Sequence, residues 1–171
     1  MLQDNFTNEN KPEIYAYVDG SYNPDTNTYG SGVFLFMKGI SCYFFRSGDD
    51  PKMAELRNVA GELNSTMAVI KLAISLKLPS IHIYYDYKGI ECWASTGPEK
   101  WKAKNKYTKY YADFINKAQR LIDITFEKVT AHSGVEGNEI ADILAKHGAG
   151  ITLSESDQEK FDSLNIKEYE Y

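Results

Sequence analysis

The chain has 171 residues, 43% hydrophobic and 25% charged, enough for one compact core and too few for a second domain of comparable size. Met1 to Lys11 lacks the apolar stretch of a secretory signal and no later run is apolar and long enough to span a bilayer. Cys42 and Cys92 fit neither a disulfide scaffold nor a metal-type spacing, so a soluble cytoplasmic monomer with two free thiols is expected. The formal charge of −5 does not exclude a polyanionic partner, because six acids and two lysines between Ser154 and Tyr171 carry most of it and leave the body nearly neutral.

The first expected element is a strand from Ile14 to Ser21, with Ile14, Ala16 and Val18 on one face and Tyr15, Tyr17 and Asp19 on the other. Gly20-Ser21 is read as its stop, which puts Asp19 at the strand's exit. Tyr22 to Thr28, with Asn23-Pro24-Asp25, reads as a turn. Gly32–Lys38 and Ile40–Arg46, joined at Gly39, form a hairpin, so the first three strands are expected to run antiparallel. From about Met53 the period changes, and Leu56, Val59, Leu63, Met67, Ile70, Ile74 and Leu78 mark one long amphipathic helix closed by Pro79. Glu62 lies beside this stripe rather than within it.

Ile81 to Asp86 returns to strand and again ends on an acid. Tyr87 to Ala94 reads as a short helix, Tyr107 to Leu121 as a longer one, Ile122 to Val129 as a fifth strand and Glu136 to Gly148 as a helix carrying Asn138 and Asp142. Between the first two of these helices Lys100, Lys102, Lys104, Lys106 and Lys109 interleave with Trp101 and Tyr107. That run fits either a solvated surface or a contact to a nucleic-acid backbone, and the aromatic excess serves either packing or base stacking. The segment after Ser154 is either a helix around Glu155 to Leu164 or disorder. The order β-β-β-α-β-α-α-β-α describes an α/β domain with helices around a mixed sheet, the fourth strand parallel to the first or the third.

Val18-Asp19-Gly20-Ser21, Arg57-Asn58-Val59-Ala60-Gly61-Glu62-Leu63, Tyr84-Tyr85-Asp86 and the stretch from Ala131-His132-Ser133-Gly134 to Asn138-Glu139-Ile140-Ala141-Asp142-Ile143-Leu144-Ala145 together resemble the type 1 ribonuclease H family. The likeness runs from about Ile14 to Gly148 and is closer to bacterial members whose catalytic domain is related to that attached to a viroplasmin-like hybrid-binding module. Four acids in the family's order, with a histidine ten residues before the last, make the pattern specific. It implies a ribonuclease H-like fold, with three antiparallel and then two parallel strands in one five-stranded mixed sheet. It divides the chain into a flexible 1–13, a catalytic domain over 14–150 and an acidic tail over 151–171. The implied activity is endonucleolytic hydrolysis of the RNA strand of an RNA/DNA hybrid, leaving 5′-phosphate and 3′-hydroxyl ends.

Elementary electrostatics agrees with this reading. Carboxylates about 4 Å apart repel by roughly 4 kcal/mol per pair at an effective dielectric of about 20, a cost that divalent cations remove. Hard oxygen donors without thiolates point to Mg²⁺, with Mn²⁺ as a substitute, and two ions can divide the work of phosphodiester hydrolysis. The resemblance assigns Asp19, Glu62, Asp86 and Asp142 as ligands and gives His132 a part in proton movement or product departure. It also suggests Asn58 and Asn23 as substrate contacts; Asn138, on the polar end of its helix, is a further candidate, and Lys100, Lys102 and Lys104 are candidates to replace a basic protrusion helix for which the segment between Asp86 and His132 is too short. An N-terminal hybrid-binding module is not expected.

Taken singly, Asp19 reads as a turn former, Glu62 as a solvated helix residue and Asp142 as the partner of Lys146 four positions on. Two other functions are compatible with the same pattern: an integrase-like or junction-cutting nuclease, and a non-catalytic nucleic-acid-binding module on the same fold.

Overall fold

The structure is a computed structural model and describes residues 12–166, so the expectations for the first eleven residues and for 167–171 lie outside the described residues. Strands β1 (Ile14–Asn23), β2 (Thr28–Met37) and β3 (Ile40–Gly48) form an antiparallel meander. β4 (Ser80–Tyr85) pairs parallel with β1, not β3, and β5 (Asp123–Lys128) pairs parallel with β4, so the spatial order is β3-β2-β1-β4-β5. The mixed five-stranded sheet is as expected. The hairpin between β2 and β3 closes on Lys38 and Gly39, with φ of 51° and 77°, the paired positive values of a two-residue type I′ connection.

Two boundaries differ from the sequence reading. Gly20-Ser21 does not stop the first strand, which continues to Asn23 against Thr28. Gly20 is glycine for another reason: a Cβ there would lie 2.1 Å from the Asn58 carbonyl oxygen and 2.4 Å from the Glu62 nitrogen. The residue marks the close approach of a helix to the strand, not a turn. The long helix expected from Met53 to Leu78 is two helices, α1 (Pro51–Ala54) and α2 (Asn58–Ser75). Asp50 caps the first by accepting from the Lys52 and Met53 N–H groups, and the chain then turns at Arg57, whose φ of 54° and ψ of −129° lie outside any helical region. The break lets Met53 and Ala54 pack with Tyr29 and Ala60 in a small cluster of their own.

The main core lies on one face of the sheet, where Ala16, Val18, Val33, Leu35 and Ile83 meet Leu63, Val69, Ile70 and Ala73 of α2. Helices α3 (Gly89–Ala94) and α4 (Lys106–Ala118) complete this layer with Ile90, Tyr111 and Ile115. α2 is wedged between the sheet and these helices, so twelve of its eighteen residues are buried and its stripe is much wider than the spacing of Val59, Leu63, Met67, Ile70 and Ile74 implies. On the opposite face α5 (Glu136–Gly148) crosses the antiparallel strands. Beside it the rings of Tyr15, Tyr17, Phe34, Phe36, Tyr43 and Tyr84 form stacked and edge-on pairs 4.5 to 6.4 Å apart, so much of the aromatic excess is packing.

The acidic tail contains the helix α6 (Glu155–Ser163), as one of the two sequence readings has it. Its Phe161 ring stacks on His147 at 4.1 Å and Lys160 pairs with Glu136 at 2.9 Å, which fastens α6 along α5. Cys42 and Cys92 are free and buried. Among the described residues no helix is long and apolar enough to cross a membrane.

Candidate active site

The parallel pairing of β1 with β4 ends at Tyr17 and Tyr84, and Asp19 and Asp86 follow two residues later at the same level of the sheet. The end of a parallel pairing is where α/β sheets leave room for ligands. α2 brings Glu62 to the same place because its first turn rests on Gly20 through backbone contact alone. One ligand atom each from Asp19, Glu62 and Asp86 lie within 4.8 Å of one another. Asp19 is 6% exposed and Glu62 only 1%, so Glu62 belongs to the buried side of α2 and is not the stripe's neighbour that the periodicity implied.

Burying Asp19 and Glu62 beside a half-buried Asp86 has a strong electrostatic signature. Burial first, and then the charges of Asp86 and Asp142, hold the Asp19 carboxyl well above the usual carboxylate range; the Gly20 N–H, donating to Asp19 Oδ1 at 2.8 Å, opposes this only in part. Glu62 is pushed up in the same way by burial and then by Asp19 and Asp86. It hydrogen-bonds with Asp86 and accepts from the Tyr87 backbone N–H, yet its Oε2 is buried without a partner. An orphaned buried carboxylate oxygen on a member of a group of three carboxylates costs free energy unless a cation completes the group. All donors are hard oxygens, a set that suits a hard divalent cation.

Asp142, on α5, stands outside that group of three. Its Oδ2 is 2.7 Å from Lys146 Nζ, and its charge still reaches Asp19. Asp142 and Lys146 line a cleft of about 390 Å³ together with His132, Asp157 and Lys160. His132 is exposed on the loop before α5, with a backbone φ of 53° and Gly134 at 82° two residues on, a tight loop that presents the ring to the cleft's edge.

The expected substrate contacts separate into exposed and enclosed residues. Asn58 is exposed at the first position of α2, one turn before Glu62. Lys100, Lys102 and Lys104 line a second cavity of about 530 Å³ with Trp93, Trp101 and Asn105. Trp101 is fixed there by its backbone N–H, which donates to the Cys92 carbonyl at 2.8 Å, and by an edge-on contact with Trp93 at 5.8 Å. Asn23 is buried, donating to the Gly150 carbonyl and accepting from the Asp25 N–H, so it ties the β1–β2 turn to the end of α5. Asn138 is 4% exposed and its Oδ1 has no partner.

Two residues not singled out for the site from the sequence belong to it. Tyr87 anchors Glu62 through its backbone and sets its ring 5.9 Å from Trp93 and 6.3 Å from Trp101, linking the acids to the lysine-lined cavity. Its only sequence signal is its place directly after Asp86. Lys146 is the other, visible only as a lysine four residues from an acid.

A family model for RNase H matches residues 11–150. Among curated proteins, the ribonuclease H of Cupriavidus metallidurans is 34% identical over 145 residues, covering 80% of this chain and 94% of that protein. The ribonuclease H of Stutzerimonas stutzeri is 27% identical over 144 residues, covering 79% and 90%. Among solved structures, RNase H1 of Halobacterium salinarum superimposes with a TM-score of 0.65 at 18% identity, covering 80% of this chain and 97% of that one. The N-terminal RNase H domain of a Mycobacterium tuberculosis protein, solved as a fusion with maltose-binding protein, gives 0.62 at 14% identity, covering 86% and 99%. At those identities the two structures bear on the fold alone.

Proposed function

The chain belongs to the ribonuclease H family, and on that premise we propose that it is an endonuclease hydrolysing the RNA strand of RNA/DNA hybrids to 5′-phosphate and 3′-hydroxyl ends. The observation that carries this reading is the compact group of buried Asp19 and Glu62 with half-buried Asp86, together with the unsatisfied Oε2 of Glu62. Asp19, Glu62, Asp86 and Asp142 are the residues that would hold two Mg²⁺, with Mn²⁺ able to substitute. When bound, the ions supply Lewis acidity to the attacking water and to the departing 3′ oxygen.

The chain's own residues do the rest. Tyr87 and Gly20 hold Glu62 and Asp19 in place through backbone N–H groups, so the carboxylates are oriented before any ligand arrives. His132, at the cleft's edge beside Asp142, takes or delivers a proton as the product leaves. Asn58 is the exposed amide closest in sequence to the acids and is suited to reading a 2′-hydroxyl in the shallow minor groove of an A-like duplex. Lys100, Lys102 and Lys104 sit along the Tyr87–Trp101 ridge and grip the DNA strand's phosphates. Residues 14–150 form the catalytic unit, and 151–171 is an appendage to it.

Cleavage of a labelled RNA/DNA hybrid with Mg²⁺, run beside RNA/RNA and DNA/DNA duplexes, tests the function. Cutting of the hybrid alone is expected. Equal cutting of all three would assign another nuclease chemistry, and no cutting by the folded protein with either Mg²⁺ or Mn²⁺ would leave only a binding module. Alanine at Lys100, Lys102 and Lys104 together should weaken hybrid binding and flatten the plot of log affinity against log salt, by about 0.9 for each phosphate that is no longer neutralised. An unchanged slope would remove the lysines from the interface.

A further inference from the structure

We propose that Lys146 is a positioning residue that holds Asp142 apart from the other three acids and balances its charge, so that a second divalent cation has to displace Lys146 to recruit Asp142. The proposal rests on the metal-site reading above. Three observations carry it. The first is the contact itself: Lys146 Nζ is 2.7 Å from Asp142 Oδ2, while Asp19, Glu62 and Asp86 form a compact group that does not include Asp142. Asp142 is thus engaged with a cation of the chain's own. The second is placement. Both residues lie on α5 at a spacing of four, with the acid N-terminal to the lysine, a favourable helical orientation, and both side chains are partly sheltered in the cleft beside His132.

The third is that Lys146 has somewhere else to go. Asp157, brought by α6, lines the same cleft as Lys146 and Asp142. α6 is fastened to α5 by Phe161 on His147 and by Lys160 on Glu136, so Asp157 is held in reach. A lysine released from Asp142 can turn towards Asp157 without being left unpaired in a partly buried cleft. The acidic tail thereby acquires a part in the site.

The consequence is that the weaker of two cation equivalents competes with an ammonium group for Asp142. The ion pair is only partly buried, so the handicap is modest, about two- to fivefold in affinity. Mn²⁺ binding to the whole chain without substrate, read as loss of the free Mn²⁺ electron-spin resonance signal, measures it for wild type, Lys146→Met and Lys146→Arg. Lys146→Met should bind the weaker equivalent about two- to fivefold more tightly, and Lys146→Arg, which keeps the charge, should resemble wild type. Two Mn²⁺ per chain with isotherms unchanged by Lys146→Met would overturn the inference and leave the metal site standing. Equal tightening by Met and Arg would also overturn it, because the charge would then not be the agent. A wild-type chain that binds no Mn²⁺ would overturn both readings.

Discussion

Replacing Asp19 with Asn should abolish hybrid cleavage, lowering the rate by on the order of 10³-fold or more, and at the same time raise the unfolding temperature of the metal-free protein. The two effects share a cause. Asp19 feels the charges of Asp86 and Asp142 and stands beside Glu62, and burial in that company penalises its ionised form. Asn keeps the oxygen that accepts from the Gly20 N–H and removes the charge. Each kcal/mol of relief is worth about 2–4 °C for a chain of this size.

The pH dependence follows with a definite sign. Because the folded-state pKa values of Asp19 and Glu62 are raised, the native state binds more protons than the unfolded chain above about pH 4, and stability falls as pH rises through the folded values. Asp50 is lowered instead, by its cap hydrogen bond to Met53 and then by Tyr107, and contributes only as pH falls below the ordinary carboxylate range. Between about pH 5 and 8 in EDTA, wild type should therefore lose stability with rising pH, the Asn variant should lose less, and Mg²⁺ should remove much of the difference. Thermal unfolding across that range decides it. Hybrid cleavage by Asp19→Asn at the wild-type rate, or a wild-type stability that rises with pH in EDTA, would show that the acids do not form the coupled site described above.

Gly61→Ala should cost upwards of about 3 kcal/mol and take activity with it. A Cβ at Gly61 would lie 1.9 Å from the Gly30 carbonyl oxygen and 2.8 Å from the Gly20 Cα, both rigid backbone, so α2 has to lift off β1 and β2. Glu62 is the next residue and would move with it, away from Asp19. Gly39→Ala is the control. Its Cβ would meet nothing within 4 Å, and only its φ of 77° opposes a side chain, at about 1 kcal/mol. Denaturant midpoints for the two variants should differ accordingly. A Gly61→Ala protein within about 1 kcal/mol of wild type would mean that the helix is free to shift and that its closeness does not set the site.

The alternation of Ile14 to Asp19, the hairpin at Gly39 and the period of α5 are legible in the sequence because each is a local pattern imposed by pleat or helical turn. The four acids are legible as a set for a different reason. Their residue types and order along the chain resemble a known family, although each alone has an ordinary explanation. Taken singly, Glu62 reads as a solvated helix residue, because a stripe counted by apolar residues cannot register burial against three neighbouring elements at once. Gly20 reads as a strand stop because a glycine that admits another backbone looks in sequence like one that makes a turn. The break at Arg57 carries no glycine or proline to announce it.

Strand and helix periods are written along the chain, so most of the elements and their order could be read from it, and the residue types in their family-like order supplied the candidate site residues. Tertiary structure decided three further matters: which strands are neighbours, that Glu62 is buried with an unpaired oxygen, and that Asp142 is held by Lys146 beside a helix from the tail. These depend on contacts between residues far apart in the chain, whose distances and desolvation no local pattern encodes.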